Sequence, residues 1–333
     1  MSIVNKRELP FVSALLVTKN ERDFIRLSLL SLINQTYPKS RYEIIVVDGY
    51  SDDGTIDVIL DLQKKYSTKD FSIRLLKNEK QILSSGWNLG IKAANGDFVL
   101  RIDAHATAAS DYIEKCVETM SRVDAVCVGG KLITKSLSDG NEAVPLVLSS
   151  PFGVGNAAGR VSNKEGYVDT AAFCMYRKDI FEKAGFFNEK MVRNQDIEMH
   201  GRIRKVGGRC YFNPDIKVTY YSRNTFRKML TQAYENGKWN MVLLIKDHSA
   251  LSLRHLIPFV FVLYLIVSLI GGLFWHPLWI VCLCVLCLHI ILGFIFSIKK
   301  SSKLYVIIKM PFLFISLHIA YGLGYFKGIT IAS

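Results

Sequence analysis

The sequence lacks the glycine-rich loops with which many α/β enzymes hold phosphate. The stretch "TKNERDF" (18–24), which follows the first predicted strand, contains no glycine, whereas a nicotinamide-binding Rossmann domain requires G-x-G-x-x-G there. No Walker-type phosphate loop and no G-x-S-x-G nucleophile elbow occurs in the chain. These absences exclude dinucleotide-dependent dehydrogenases, P-loop enzymes and α/β-hydrolases as function classes.

Cysteines are few and scattered. There are seven among 333 residues, and three of them lie inside one apolar run: Cys282, Cys284 and Cys287. Their spacing matches neither a disulfide framework nor a zinc motif, so we expect small, reduced, hydrophobic side chains in a reducing compartment. The opening "MSIVNKRELP" also lacks the apolar segment of a signal peptide, so we expect residues 1 to about 250 to stay in the cytoplasm.

Charged side chains are missing from long stretches towards the C-terminal end. Residues 256–275 contain none, and residues 277–298 contain only His289 as an ionisable group apart from the cysteines. A third stretch, 304–326, carries Lys309 and His318. A helix of about 20 apolar residues is long enough to cross a bilayer, although buried core helices are the alternative. We therefore expect two to three transmembrane helices.

Acidic residues are outnumbered by basic ones. There are 29 Asp and Glu against 42 Lys and Arg, with a net charge of +13. Residues 199–255 hold 11 Lys and Arg but only 3 Asp and Glu. The turn "HP" between the first two apolar stretches is uncharged and "KKSSK" follows the second, a pattern typical of a hairpin with both ends in the cytoplasm. A basic cluster beside membrane segments favours anionic lipid headgroups and phosphate-bearing ligands over nucleic acid.

The N-terminal two thirds alternates between strand and helix signals. Apolar runs typical of buried strands occur at "FVSALLVT", "YEIIVVD", "FSIRLLKN" and "DFVLRID", with amphipathic stretches between them. This alternation predicts an α/β fold with a mostly parallel sheet covered on both faces. We divide the chain into a cytosolic catalytic domain (1–222), an amphipathic membrane-interface segment (223–254) and a membrane domain (255–333).

Polar residues follow three of these strands, where parallel sheets bind their ligands. Asn20, also a plausible helix N-cap, and Glu21 follow the first strand, and Asp48 ends the second. Asp103 and His105 end the fourth, and in an extended backbone their side chains point to the same side. The pair therefore suggests a metal or a charged ligand, with a surface turn as the alternative.

Five segments, taken in order, resemble the inverting glycosyltransferases of family 2. They are "LLVTKNE", "IIVVDGYSDDGT", "NLGIKAANGDFVLRIDAHA", "VDTAAFCMYRKDIFEKAGFFNE" and "RNQDIEMHGRIRKVGG". The likeness is to the succinoglycan-type, membrane-anchored branch used in bacterial exopolysaccharide assembly, and it runs from Phe11 to Trp239, with the closing "HIAYGLGYFKG" also similar. The resemblance implies a GT-A fold, a nucleotide-diphosphate sugar donor and a divalent cation.

The resemblance implies a metal motif of the D-x-D type, which here is Asp103-Ala104-His105. Asp103 would face the ribose and the diphosphate, either directly or through the bound metal. His105 would be the direct metal ligand. The cation would be Mn²⁺ or Mg²⁺, and an imidazole ligand favours Mn²⁺ because Mg²⁺ prefers oxygen. The alternative for His105 is that it only caps the strand.

By the same resemblance, Asp48 would bind the nucleobase, normally uracil, and Asn20 and Glu21 would lie near the base and ribose. Asp53 would lie behind them, although "SDDGT" is also a turn and helix-start signal. Arg101 would reach a phosphate or flank the sheet edge.

An inverting transfer needs one general base to take the proton of the acceptor hydroxyl. The family has a Glu-Asp pair at the start of a helix, and here that pair is Gln195-Asp196. We predict that Asp196 is the base, because a helix N-terminus stabilises an ionised carboxylate. Glu198 is a weaker candidate on a different helix face, and the alternative for Asp196 is a helix-start residue only.

Other residues are candidates for the acceptor or diphosphate side. Asp169, in "VDT", lies in a segment that resembles the acceptor side of the family, where Gln195 and Glu198 would also contribute. Gln232, Lys238 and Trp239 resemble a Gln…Arg-Trp element that contacts diphosphate in processive relatives, with different spacing. The alternative is that these three belong to the amphipathic segment on the headgroups.

Together these features predict an inverting glycosyltransferase. The donor is a nucleotide-diphosphate sugar, for which a UDP-sugar is our first choice, and the acceptor is a polyprenyl-linked saccharide. We expect it at the bacterial inner membrane, with its catalytic domain in the cytoplasm, in exopolysaccharide, capsule or O-antigen assembly. Expected partners are the donor, the acceptor, membrane lipids and other polysaccharide-assembly proteins. The alternatives are a polyprenyl-phosphate glycosyltransferase and a non-catalytic membrane scaffold that keeps the nucleotide pocket.

Overall fold

A computed structural model describes residues 9–136, 142–222, 225–247 and 250–332. By their contacts, these residues divide into two units. The sheet unit comprises residues up to 133 together with 164–220, and the helical unit comprises 134–163 together with the chain from 221 onward. The segment 134–163, which the sequence did not set apart from the catalytic domain, is thus grouped with the apolar helices.

The elements alternate as expected in the first hundred residues and become less regular afterwards. The strands are β1 (Val12–Thr18), β2 (Tyr42–Asp48), β3 (Ile73–Lys77), β4 (Phe98–Asp103), β5 (Ala106–Ala108), β6 (Cys127–Ser136), β7 (Gly166–Val168), β8 (Met175–Arg177) and β9 (Cys210–Ser222). The helices are α1 (Arg22–Ile33), α2 (Thr55–Tyr66), α3 (Leu83–Ala93), α4 (Tyr112–Arg122), α5 (Ala143–Leu148), α6 (Pro151–Val154), α7 (Ala158–Val161), α8 (Ile180–Ala184), α9 (Gln195–Lys205), α10 (Phe226–Lys246), α11 (Leu253–Gly271), α12 (Pro277–Lys300) and α13 (Leu304–Ala332), with a 3₁₀ turn at Lys39–Arg41.

The four predicted strands form the parallel part of the sheet. Strand β1 pairs in parallel with β2 and β4, and β2 pairs in parallel with β3. Every residue of β1 and β2 is buried, which explains their continuous apolar sequence. Leu16 packs in the same cluster as Leu29 of α1, whereas Leu15 packs in the same cluster as Trp87 of α3. The sheet is therefore covered on both faces, as the sequence predicts.

An antiparallel extension continues the sheet beyond β4. Within the described residues the strand order is β3-β2-β1-β4-β8-β6-β9-β5, with β7 paired to β9. Strand β8 runs antiparallel to both β4 and β6, and β5 and β7 run antiparallel to β9. Strands β5, β7 and β8 have three residues each, which is too short for a periodic hydrophobic pattern. The sequence analysis therefore predicts the parallel strands but not these short ones, and it also left the longer strands β6 and β9, of 10 and 13 residues, unassigned.

The helical unit contains the three apolar stretches. Helices α11, α12 and α13 are long and apolar enough to cross a membrane, by their length and composition. Their candidate spans have 19, 24 and 28 residues. All three apolar stretches noted in the sequence are thus helical, which supports membrane association of the chain.

Helices α10 and α13 approach each other backbone to backbone through glycines. A Cβ on Gly237 of α10 would collide with the carbonyl oxygen of Tyr321, and a Cβ on Gly324 of α13 would collide with that of Tyr234. Small residues at such contacts allow the close approach by which helices associate in lipid. The predicted membrane-interface segment (223–254) therefore contains α10, which packs on α13. The contact of this segment with lipid headgroups stays a prediction.

We predict that Gly324→Leu destabilises the protein by about 1–3 kcal/mol, because the added side chain forces α10 and α13 apart. The midpoint of thermal denaturation of the full-length protein in detergent measures this. Gly166→Ala is the control, since a Cβ at Gly166 meets no atom within 4 Å. Equal midpoints for the two variants would contradict the helix contact.

Candidate active site

The carboxyl ends of three neighbouring strands bring the predicted polar residues to one edge of the sheet. Thr18 of β1 is opposite Asp48 of β2, and Val17 of β1 is opposite Asp103 of β4. The loops that follow β1, β2 and β4 consequently start side by side. The structure thus brings Asn20, Glu21, Asp48, Asp53, Asp103 and His105 to this edge.

The loops after β1 and β2 are tied together by hydrogen bonds. Asp48 is buried, and its two carboxylate oxygens accept from the backbone N–H and the hydroxyl of Ser51, at 2.9 and 2.5 Å. The Ser51 hydroxyl in turn accepts from the backbone N–H of Asn20, at 2.8 Å. Asn20 has a left-handed φ of 55°, and the helix N-cap is Glu21. The expectation that Asn20 caps α1 is therefore wrong, because its side-chain oxygen instead accepts from the backbone N–H of Asp52.

Asp53 organises the second loop. One carboxylate oxygen accepts from the backbone N–H and hydroxyl of Thr55, and the other accepts from the backbone N–H of Arg22. Burial acts to raise the pKa of Asp53, but the bonds from Thr55 and Arg22 lower it below its usual value. These are the bonds of a turn and helix start, and the contact of Asp53 with a nucleotide stays a prediction.

His105 is held between two side chains of the sheet unit. Its Nδ1 lies 3.1 Å from a carboxylate oxygen of Glu21, and its Nε2 lies 2.9 Å from the hydroxyl of Tyr220. Burial acts to lower the pKa of His105, but the bond to Glu21 and the charge of Asp103 raise it. A carboxylate on one imidazole nitrogen is the arrangement that orients metal-binding histidines. No sequence motif indicated Tyr220, which comes from β9.

Asp103 offers an open ligand atom beside His105. Its Oδ1 is buried and has no hydrogen-bond partner, which is costly unless another group binds there. Strand β4 ends at Asp103, and Ala104 and His105 form a turn. The expectation of an extended Asp103–His105 backbone is therefore wrong, although the two groups remain electrostatically coupled. A carboxylate oxygen and an imidazole nitrogen are suitable donors for a divalent cation such as Mn²⁺.

Arg101 packs its guanidinium against two aromatic rings. Its guanidinium carbon is 5.1 Å from the ring centre of Trp87 and 5.6 Å from that of Phe187, within the range of cation–π attraction. Burial acts to lower the pKa of Arg101, but nearby groups, including Asp103 and Asp196, raise it. The side chain therefore points inward from β4 and does not simply flank the sheet edge.

The predicted base lies in the first turn of α9. Asp196 follows Gln195, the first residue of the helix, and one of its carboxylate oxygens accepts from the backbone N–H of Ile197. Gln195 is buried, and its amide donates to the carbonyl of Val192. Glu198, in contrast, holds Arg202 through two bonds of 2.8 Å. The carboxylate of Glu198 is therefore occupied by an ion pair with Arg202, whereas that of Asp196 accepts one backbone hydrogen bond.

The remaining acceptor candidates fall into two places. Asp169 follows β7 in the sheet unit, where one carboxylate oxygen accepts from the backbone N–H of Thr170. Gln232, Lys238 and Trp239 lie on α10, in the helical unit. Lys238 pairs there with Glu235 at 2.5 Å. The roles of all four residues stay predictions.

The fold gathers residues that the sequence left apart. Cys127, Cys174 and His200 are buried, and their ligand atoms lie within 4.8 Å of one another. Cys210 is buried in the same core cluster as Cys127 and Cys174. Burial acts to raise the pKa of Cys174, but hydrogen bonds with Cys127 and His200 lower it. The prediction that all seven cysteines are scattered hydrophobic side chains did not foresee this cluster, since its three members come from β6, the loop before β8 and α9 and form no spaced motif.

Comparisons with known proteins agree with the resemblance. The model of glycosyl transferase family 2 matches residues 13–185. One relative is the dolichyl N-acetyl-alpha-D-glucosaminyl phosphate 3-beta-D-2,3-diacetamido-2,3-dideoxy-beta-D-glucuronosyltransferase of Methanococcus voltae. The two sequences are 31% identical over 326 residues, and the match covers 96% of this chain and 97% of that protein. The chain is 26% identical over 255 residues to the succinoglycan biosynthesis protein ExoA of Rhizobium meliloti, covering 75% and 76%.

A solved structure supports the fold. The mannosyltransferase PcManGT of Pyrobaculum calidifontis, in complex with GDP-Man and Mn²⁺, matches with a TM-score of 0.61 over 95% of this chain and 88% of that one, at 16% identity. The predicted architecture, a GT-A domain with a mostly parallel sheet followed by apolar helices, is thereby confirmed. With its family model, its full-length relative and its fold in agreement, the chain is a glycosyltransferase and belongs to glycosyl transferase family 2.

Proposed function

We propose that the chain transfers one sugar, with inversion, from a nucleotide-diphosphate sugar to a lipid-linked saccharide. The observation that carries this proposal is the buried carboxylate oxygen of Asp103 that has no hydrogen-bond partner, two residues before a histidine that Glu21 contacts. It lies at the strand edge where open α/β sheets bind nucleotides. Arg101 feels the charges of Tyr176, Asp103 and Asp196, which supports the proposal that the donor edge and the predicted base act in one site.

Asp103 and His105 would hold the divalent cation. When bound, such a cation neutralises the charge that develops on the departing diphosphate. Glu21 would orient the His105 ring, and the Tyr220 hydroxyl would have to leave Nε2 before that nitrogen could bind a metal. Mn²⁺ is favoured over Mg²⁺ by the imidazole donor, and the Pyrobaculum protein was solved with Mn²⁺.

The loops after β1 and β2 would hold the nucleoside. Asp48 would bind the base, with Asn20 and Glu21 near the base and ribose. The hydrogen bonds that join Asn20, Ser51 and Asp48 keep these loops in one arrangement before a donor arrives, which lowers the entropy lost on binding. Arg101 would add positive charge near the diphosphate. We propose a UDP-sugar, as the family resemblance implies.

Asp196 would act on the acceptor. As the acceptor oxygen bonds to the anomeric carbon, the bond from that carbon to the diphosphate oxygen breaks, and the electron pair leaves with the nucleoside diphosphate. The hydroxyl proton passes to the Asp196 carboxylate, so charges and atoms balance. Gln195, Glu198 and Asp169 would shape the acceptor side, with Gln195 replacing the glutamate of the family pair.

The acceptor would be a saccharide on a polyprenyl-type phosphate. The name of the Methanococcus relative specifies a dolichyl-phosphate-linked sugar, and that of ExoA specifies succinoglycan biosynthesis. The apolar helices α11 to α13 would hold the enzyme in the cytoplasmic membrane with the sheet unit in the cytoplasm, as the basic flanks of the spans suggest. There Gln232, Lys238 and Trp239 of α10 would face diphosphate or headgroups. Exopolysaccharide, capsule or O-antigen assembly is the process we propose.

We predict that Asp196→Asn lowers the rate of sugar transfer by about 100- to 10,000-fold, because the amide cannot accept the proton. Donor binding, measured by thermal shift with a UDP-sugar and Mn²⁺, should stay within the error of wild type. Asp179→Asn is the matched control, since Asp179 is an exposed carboxylate at the start of α8. Full activity in the Asp196 variant would exclude it as the base.

We predict that Glu21→Gln weakens Mn²⁺ binding by about 10- to 100-fold, because His105 loses the carboxylate that orients it. His105→Ala and Asp103→Asn should weaken it further, since each removes a ligand. Titration of Mn²⁺ into the full-length protein in detergent, followed by electron paramagnetic resonance, measures the affinity. Glu118→Gln, on the exposed face of α4, should bind as wild type does. Unchanged affinity in all three site variants would place the cation elsewhere.

We predict transfer to lipids that already carry a sugar. A labelled sugar from a panel of UDP- and GDP-sugars should enter a polyprenyl-phosphate-linked monosaccharide and extend it to a disaccharide lipid. Free polyprenyl phosphate is the comparison acceptor in the same detergent. Faster transfer to the free phosphate would instead establish the polyprenyl-phosphate glycosyltransferase that the sequence left as an alternative.

A further inference from the structure

A cluster of sulfur and nitrogen ligands lies inside the sheet unit, and the proposed transfer reaction does not use it. Cys127 starts β6, Cys174 precedes β8, and His200 lies on α9. All three are buried, with ligand atoms within 4.8 Å of one another. Thiolate and imidazole together favour Zn²⁺, whereas oxygen ligands favour Mg²⁺.

The distances within the cluster suit two ligands of one metal. Cys127 Sγ lies 3.6 Å from His200 Nε2. Tetrahedral zinc with a Zn–S bond of about 2.3 Å and a Zn–N bond of about 2.0 Å places sulfur and nitrogen about 3.5 Å apart. The existing separation therefore needs little change to admit an ion between these two atoms.

The other nitrogen of His200 has the partner that a metal-binding histidine requires. Its Nδ1 lies 2.8 Å from the hydroxyl oxygen of Thr170. A donated N–H at this position fixes the tautomer and directs the lone pair of Nε2 towards the thiols. Tyr176 lies 2.9 Å from Nε2 through its hydroxyl, so this hydroxyl is the group that a metal would displace.

A fourth cysteine lies in the same core cluster. Cys210, the first residue of β9, is buried with Cys127 and Cys174, but its sulfur is not one of the three ligand atoms that lie within 4.8 Å of one another, so it has to move towards the ion to complete the set. Three thiolates and one imidazole form a closed tetrahedral set, which is typical of structural and not of catalytic zinc. Four ligands of this kind leave no position for a substrate.

We propose that Cys127, Cys174, Cys210 and His200 bind one zinc ion in a structural site separate from Asp103 and His105. The ion joins β6, β9, α9 and the loop that precedes β8. His200 is four residues after Asp196 on the same helix, so the two side chains share a face. Zinc at His200 therefore fixes the helix that carries Asp196, without contact with the reacting sugar.

The first experiment measures the metal content of the full-length protein, purified in detergent under reducing conditions without chelator. We expect about one zinc per chain in wild type, as a closed four-ligand site implies. Cys127→Ala and Cys174→Ala should each lower the content at least about tenfold. Cys116→Ala is the matched control, because Cys116 is a buried cysteine of α4 that belongs to a different core cluster, and it should keep the zinc.

Cobalt replacement tests the ligands even if a cysteine variant fails to fold. Co²⁺ added to metal-free wild type should give the thiolate-to-cobalt charge-transfer absorption, and Asp103→Asn should keep it, which separates this site from the donor cation. Tyr176→Phe should also keep the absorption, since Tyr176 competes for His200 and is not a ligand. Background zinc with no cobalt absorption in wild type would overturn the proposal, as would zinc retained by both cysteine variants.

Discussion

The guanidinium of Arg101 links the two halves of the proposed chemistry. Moving a charged group out of water costs several kcal/mol unless other charges compensate. Here Tyr176, Asp103 and Asp196 act to raise the pKa of Arg101 against the effect of burial, and the faces of Trp87 and Phe187 lie within cation–π range. Because Arg101 is on β4 and Asp196 is on α9, this interaction would connect the strand that ends at the proposed donor edge with the helix that carries the predicted base.

The parallel part of the sheet was predictable because each of its strands is specified by a pattern within one short segment of the sequence. A strand buried on both faces needs a continuous apolar run, and β1 and β2 have one over their whole length. The apolar helices were predictable for the same kind of reason, since length and hydropathy are properties of one segment. The three-residue strands β5, β7 and β8 depend instead on partners distant in sequence, so no local pattern indicates them.

The same distinction between local patterns and distant contacts applies to the candidate site. The positions of Asp48 and Asp103 at strand ends were predictable because each follows a recognisable apolar run, and the structure places them opposite neighbouring residues of β1. Glu21 was found, but its bond to His105 spans 84 positions and only the fold reveals it. The cluster of Cys127, Cys174 and His200 was missed for this reason, because metal spacing rules apply to ligands on one segment, not to ligands joined across a sheet.

The apolar helices bear on the reaction as well as on attachment. A lipid-linked acceptor diffuses in two dimensions, so an enzyme held in the same membrane meets it at a higher effective concentration than a dissolved enzyme would. This arrangement reduces the binding energy that the acceptor side must supply. The proposed nucleotide donor differs, because a dissolved ligand binds more tightly to a pocket that is already formed. The bonds between Asp48 and Ser51 hold the loop after β2 in one arrangement, whereas the membrane would deliver the proposed lipid acceptor.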